Sequence, residues 1–340
     1  MALYTTYFDS NYLLRGATCI RSIAERSAKP VRFLVLALDD DCAANLPRLL
    51  PNLADQIDIL TLGDVEKANP ELIAAKSNRS RIEYIFTLTP ILCMAATKRV
   101  KQGDVAIYFD ADLYFFDDGE NALVEMGEHD VAITEHRFGP ENQHLLINGR
   151  FNVGWLAFRN NSNALKCLAR WRAQCIEYCG LEPREKGCGD QKYLDDWPET
   201  VKNLVIIHHP GVNTAPWNAF YYRYSGWPSA PLVDGKPVIA FHFHNLRKLE
   251  NQVYEAFYDA YGVIPPSLLP VYGHYLQALA ATELQARSKS IPVELFAGRL
   301  EPKGWMSRLR RALSLSRRGT RMVFHEGRPL STLRSLTYVR

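Results

Sequence analysis

No apolar run in this chain approaches the roughly 18 residues that cross a bilayer. The N-terminus has no basic stretch followed by an apolar core, and Met1–Phe8 already reads as a strand. Together these absences make the cytosol the expected location. There is no Cys-x-x-Cys. The seven cysteines, at 19, 42, 93, 167, 175, 179 and 188, are odd in number and scattered, which argues against a disulfide framework. Cys175, Cys179 and Cys188 fit no zinc spacing, so free thiols serving packing are expected. Internal repeats and low-complexity tracts are also absent. With 47% hydrophobic and 23% charged residues, the composition is that of an ordinary globular protein.

Net charge is small, +3, but unevenly placed. Residues 299–340 hold eleven Lys or Arg and two Glu, leaving 29 basic and 35 acidic residues elsewhere. A mildly acidic body with a strongly basic tail points to an anionic surface. Within the tail, Trp305–Leu315 mixes apolar and basic residues at a spacing a helix segregates, which suits an anionic membrane; a solvated basic tail explains the same pattern equally well. No recognised module accompanies the charge, so nucleic acid is not an expected partner.

The 340 residues suffice for one large α/β domain with an accessory segment, or for two domains. Strands are expected at 2–8, 31–38, 57–62, 105–109, 131–134, 153–158, 204–208 and 237–243, rich in Val, Ile, Leu and Phe as in strands covered on both faces. Helices are expected at 11–26, 64–76, 82–101, 161–179 and 189–196. Asn78 or Ser80 would cap the long one, and Pro90 would kink or divide it. This alternation predicts an open, mostly parallel sheet with helices on both faces, whose ligands bind beyond the carboxyl ends of the strands. Pro265, Pro266 and Pro270 suggest a boundary near 262, dividing a catalytic domain at 1–262 from a helical, basic extension at 263–340 with a helix near 271–287.

The most informative segment is Val105–Asp112. An apolar strand ends in Asp110 and Asp112, which share one face of an extended backbone. Two converging carboxylates suit a hard divalent cation, Mn²⁺ or Mg²⁺, and such a cation most often serves a phosphate-bearing substrate. Taken alone, the pair reads more simply as an acidic, solvated turn. Around it stand Asp9, Asn11 and Tyr12, a carboxylate, an amide and a ring suited to a base and ribose, or equally a helix cap. Asn152 and Gly154 open a strand where the glycine admits close approach, or a bulge. Gly189-Asp190-Gln191 leads a helix, where an aspartate is commonly only a cap. His242 and His244 share a strand face, and either is a candidate metal ligand. Arg247 and Lys248 follow, and cations beside a metal site suit a diphosphate.

Together these segments resemble the nucleotide-sugar glycosyltransferases of the GT-A fold, most closely the retaining, metal-dependent family 8. The likeness lies in Asp9-x-Asn11-Tyr12, Tyr108-x-Asp110-x-Asp112, Phe151-Asn152-x-Gly154, Asp190-Gln191, Trp217-Asn218, and the spacing from His242 to Lys248. It covers residues 9–248, with the order of the motifs carrying more than any one of them. Departures mark a divergent member. The helix before the Asp strand lacks the family's Arg after a Tyr, for which Arg79 or Arg81 would substitute, and the Gly-Pro and Pro-Trp around the family's Lys are replaced.

The resemblance implies transfer of a sugar from a nucleoside-diphosphate sugar, UDP-sugar foremost, to a hydroxyl of a saccharide or lipid-linked acceptor, with retention. It places Asp110, Asp112 and His242 (His244 as alternative) on the metal. Asp9, Asn11, Tyr12, Asn152, Gly154 and Lys248 would hold the nucleotide-sugar, with Lys248 and the metal also neutralising the leaving group as it departs; Asp190 would bind the sugar hydroxyls, and Gln191 would lie near the anomeric carbon. The expected setting is polysaccharide or lipopolysaccharide synthesis, cytoplasmic or peripheral on the inner membrane face. Three other readings stand beside it. A haloacid-dehalogenase-like phosphatase would want its Asp pair near the N-terminus with Thr or Val following, where Leu113-Tyr114 stand. A sugar-1-phosphate nucleotidyltransferase would want a Gly-rich basic loop after the first strand. The third is a binding protein that kept the fold and lost turnover.

Overall fold

The computed structural model describes residues 2–184, 187–250, 253–256, 261, 265–292, 322–325 and 328–330. A seven-stranded sheet is built from β1 (Leu3–Phe8), β2 (Arg32–Ala37), β3 (Ile57–Thr61), β4 (Val105–Phe109), β6 (Val131–Glu135), β7 (Phe151–Arg159) and β8 (Leu204–Ile207), with β5 (Leu113–Phe115) lying outside it. The order is β3-β2-β1-β4-β7-β6-β8. All neighbours pair in parallel except β7, which runs antiparallel to β4 and β6.

Side chains alternate across the sheet and feed two separate cores. Tyr4, Phe33, Val35, Ile107, Phe109 and Trp155 face one layer; Leu3, Leu34, Leu36, Ala106, Tyr108 and Leu156 face the other. The first layer is covered by α1 (Leu13–Arg26) and α2 (Asp40–Leu49). The second is covered by α4 (Glu71–Ser77), which follows the short α3 (Leu62–Ala68), and by α5 (Arg81–Thr87), α6 (Thr89–Thr97) and α7 (Ser162–Glu177). A one-turn α8 (Trp197–Thr200) precedes β8. All seven cysteines are buried free thiols, and all but Cys188 lie within these two layers.

The helical segment expected at 82–101 is divided, the second of the two outcomes that Pro90 allowed. Pro90 opens α6, and Ser80 caps α5 in a reciprocal capping box with Glu83. Residues 191–196, expected as helix, form a 3-10 turn. The short strands β5, β9 (Tyr224–Trp227), β10 (Ala230–Val233) and β11 (Lys236–Pro237) were not foreseen, because runs of two to four residues carry little periodicity.

After β12 (Ala240–His242) the chain continues through β13 (Leu246–Glu250) and β14 (Val253–Ala256), then α9 (Leu269–Ser288). Beyond the boundary expected near 262, α9 packs on the first layer. Tyr272, Tyr275, Leu276 and Leu279 of α9 are buried in the α1 layer, and the Thr18 hydroxyl donates to Thr282 at 2.9 Å. The C-terminal part is not only helical: β15 (Met322–His325) pairs with β14, and β16 (Arg328–Leu330) with β15. The amphipathic segment 305–315 lies outside the described residues. Among the described residues, no helix is long and apolar enough to cross a membrane.

Candidate active site

Where β4 ends, the backbone turns through Asp110-Ala111-Asp112 into β5, and β12 pairs antiparallel with β5 so that His242 sits opposite Leu113. That register brings a histidine from 130 residues downstream against the acidic pair. His242 Nε2 lies 2.9 Å from Asp112 Oδ1 and 3.8 Å from Asp110 Oδ2. Strand alternation does the rest. Phe241 and Phe243 enter the core, Phe243 stacking on Tyr275 of α9 at 3.9 Å, while His242 and His244 turn to the opposite side. Ligand atoms of Asp112, His242 and His244 all lie within 4.8 Å of one another.

These groups floor a cavity of about 680 Å³ at the carboxyl ends of β1 and β4. Of the residues singled out from sequence, Asp9, Tyr12, Asp110, Asp112, Asn152, Asp190, Gln191, His242 and His244 line it. Asp9 is a cap, bonding the Asn11 backbone at 3.1 Å, and also an ion partner, 2.9 Å from Arg81 at the start of α5. Asn11 donates its amide to Asp9 and is not part of the lining. Arg79 is structural, donating to the carbonyls of Cys175 and Ile176 at the end of α7.

Gly154 has a steric reason to be glycine. A Cβ there would stand 2.8 Å from His242 Nδ1 and 2.5 Å from Asn152 Oδ1, inside any real contact. Asn152 accepts from the Gly154 N–H at 2.9 Å and faces His136 Nε2 at 3.3 Å. Asn218 is fully engaged, accepting from the Ala215 N–H and donating to the Asn213 and His136 carbonyls, whereas its neighbour Trp217 reaches the cavity, its ring 5.1 Å from His242, 5.5 Å from His244 and 5.3 Å from His136.

Lys248 departs from expectation. It does not line the cavity; its Nζ lies 2.7 Å from the buried carboxylate of Glu283 on α9. The sequence showed a cation six residues beyond His242, but not that a buried carboxylate on a later helix would claim it. Arg15, Asn148, His136 and the apolar rim of Ile82, Ile85 and Phe86 were missed. Arg15 left one signal: it falls three residues after Tyr12, in the first turn of α1.

Electrostatics set these groups apart. Burial alone raises both aspartates. At Asp112 the charge and hydrogen bond of His242 outweigh burial and hold the carboxyl below its ordinary range. At Asp110 burial prevails, aided by the Asp112 charge, and the carboxyl is raised, although Tyr108 donates to it at 2.7 Å. Burial disfavours charge on His242, but Asp112 and then Asp110 overcome it and its pKa is raised. Burial, then the neighbouring His242, brings His244 down to about 4, leaving a neutral ring with a lone pair. Asp190 is pushed up to about 7 by burial and then by the Asp110 charge.

Oxygen and imidazole donors converging in this way fit a divalent cation. Two buried polar atoms at the site, the His242 Nδ1 and the Trp217 indole N–H, have no hydrogen-bond partner among the described residues. Such groups are rarely left so unless a ligand, ion or water completes them.

No family model matches the sequence. The Uncharacterized protein YfnD of Bacillus subtilis (strain 168) is similar, 33% identical over 181 residues, 52% of this chain and 58% of that protein. The Uncharacterized protein YfnF of the same organism is 28% identical over 255 residues, 72% of this chain and 81% of its own length. The chain thus spans little more than half of the first relative. Among solved structures, the galactosyltransferase LgtC in complex with donor and acceptor sugar analogs superposes with a TM-score of 0.51 at 15% identity, over 91% of this chain and 100% of that one. The chain has the GT-A fold, a mixed α/β architecture on a mostly parallel central sheet.

Proposed function

We propose that this chain is a metal-dependent glycosyltransferase, a divergent member of family 8. It moves a sugar from a nucleoside-diphosphate sugar, UDP-sugar foremost, to a hydroxyl of a saccharide or lipid-linked acceptor. The observation that carries this reading is the convergence of Asp110, Asp112, His242 and His244 at the end of the central strand. It is supported by the shared fold with a galactosyltransferase solved with donor and acceptor sugar analogs.

The protein's own groups divide the work. Asp112, His242 and either Asp110 or His244 would hold Mn²⁺ or Mg²⁺. When bound, the ion supplies positive charge against a diphosphate as it departs. Asp9 and Tyr12, at the mouth of β1, seat the base and ribose. Asp190, buried against Thr89, accepts from or donates to sugar hydroxyls according to its protonation. Gln191 donates to the Asn148 carbonyl at 3.1 Å and, in the retaining manner of the family, would face the sugar's reacting carbon. The basic tail supports an acceptor presented at an anionic membrane on the cytoplasmic side.

The test is a melting-temperature screen of nucleoside-diphosphate sugars with and without Mn²⁺, followed by donor hydrolysis. One donor is expected to raise stability only with the ion, by about 2.7 kcal/mol at a hundredfold excess over its dissociation constant. The same pair is expected to release a nucleoside diphosphate, and Asp110→Asn to abolish that release. If no donor stabilises the protein, the reading fails; if pyrophosphate or an aspartyl-phosphate appears, a nucleotidyltransferase or a phosphatase replaces it. Binding without turnover would leave a carbohydrate-binding protein.

A further inference from the structure

We infer that Arg15, from the first helix, is the cation that receives the donor's diphosphate, the part that the resemblance assigns to Lys248. The inference rests on the glycosyltransferase reading of the same cavity. Four aspartates line that cavity, Asp9, Asp110, Asp112 and Asp190, and among its described lining residues Arg15 is the single Lys or Arg. A doubly charged anion seated among these carboxylates needs compensating charge beyond one metal ion.

Arg15 is built in rather than solvated. Its residue is 6% exposed, its guanidinium donates to the Leu246 carbonyl and lies over the Tyr12 ring with 5.0 Å from Cζ to the centroid. The Leu246 anchor comes directly after His244 and Asn245, so it ties the arginine to the segment that carries the histidines. Asn245 adopts a left-handed conformation, φ 58°, which turns the chain toward Leu246. Arg15 is close enough for its charge to act on both Asp112 and His244. A planar guanidinium anchored by a carbonyl and a ring has the fork geometry that suits a phosphate.

Lys248 is placed for a different task. Glu283 takes Lys248 Nζ on Oε2 and Arg287 on Oε1, each at 2.7 Å. Turning Lys248 to the cavity would strip a buried carboxylate of one of its two cations, a costly exchange. The lysine therefore fastens β13 to α9, and the first helix supplies the charge.

The test titrates UDP and GDP, each with saturating Mn²⁺, and Mn²⁺ alone, into the whole chain and its variants. Arg15→Gln is expected to weaken the preferred diphosphate about 10- to 100-fold, the loss of one charge-assisted bidentate contact. Mn²⁺ alone is expected to bind it as tightly as wild type or more tightly, because a cation beside Asp112 has been removed. Arg15→Lys keeps the charge without the fork and is expected to lose about threefold to tenfold; it carries the test if Arg15→Gln does not fold. A diphosphate affinity within twofold of wild type overturns the inference. So does a parallel loss of Mn²⁺ binding, which would mark collapse of the site, or a larger loss in Lys248→Gln than in Arg15→Gln. If wild type binds neither nucleotide with Mn²⁺, the glycosyltransferase reading itself fails and Arg15 falls with it.

Discussion

Gly154 and Asp190 show how single residues set this site. The missing Cβ of Gly154 is the space in which the His242 ring lies. Gly154→Ala is expected to cost about 1–3 kcal/mol, the range for overpacking, and to displace the imidazole from Asp112. Melting curves and Mn²⁺ titration check both; unchanged values in both would show that the ring has room to move. Asp190 carries a pH signature. Its carboxyl is raised to about 7 in the folded chain, against 3.8 in its ordinary state. The folded state therefore holds a proton that the unfolded chain gives up, so its contribution to stability is whole below about pH 4 and lost as pH rises through 7. Asp190→Asn cannot ionise and is expected to gain on wild type by on the order of 2 kcal/mol between pH 5 and pH 8. A difference in melting temperature that does not move with pH would refute it. The sequence showed both residues, because a glycine within an apolar strand and an aspartate before a glutamine are visible locally. It did not show that Asp190 would be buried beside another carboxylate.

At the scale of elements, the site depends on what holds β12 and β13 in place. The His242–His244 segment is backed by α9, through Phe243 on Tyr275 and through Lys248 on Glu283. Glu283→Gln removes the carboxylate that compensates two cations and is expected to destabilise the fold by about 3 kcal/mol, as breakage of a buried pair does. Denaturant unfolding measures this, and a loss below about 0.5 kcal/mol would show that Lys248 and Arg287 find equal compensation elsewhere. Long strands and helices were legible because each repeats its period several times. Strands β5 and β9 to β11 were not, since so few residues give alternation nothing to repeat. Yet β5 is what aligns His242 with Asp112, so the least legible element decides the site.

Across the described residues, one sheet carries two cores, and α9 belongs to one of them. A chain ending at 262 would expose the surface that Tyr272, Tyr275, Leu276 and Leu279 cover. Each such side chain contributes about 1.5–3 kcal/mol when buried, a sum comparable with the stability of a typical domain. Residues 1–262 alone are therefore expected to aggregate or to lack a cooperative thermal transition. A soluble fragment melting near the full chain would restore the boundary that the prolines suggested.

The sequence by itself determined the sheet-and-helix alternation, the acidic pair at the end of its central strand, and the residue types gathered near it, because periodicity and strand-end position are properties of neighbouring residues. Only the tertiary structure decided which cation meets the cavity and which one is spent on packing. Lys248 and Arg15 look alike as charges on a line; that one meets a glutamate on the last described helix while the other lines the cavity follows from segments far away in the chain.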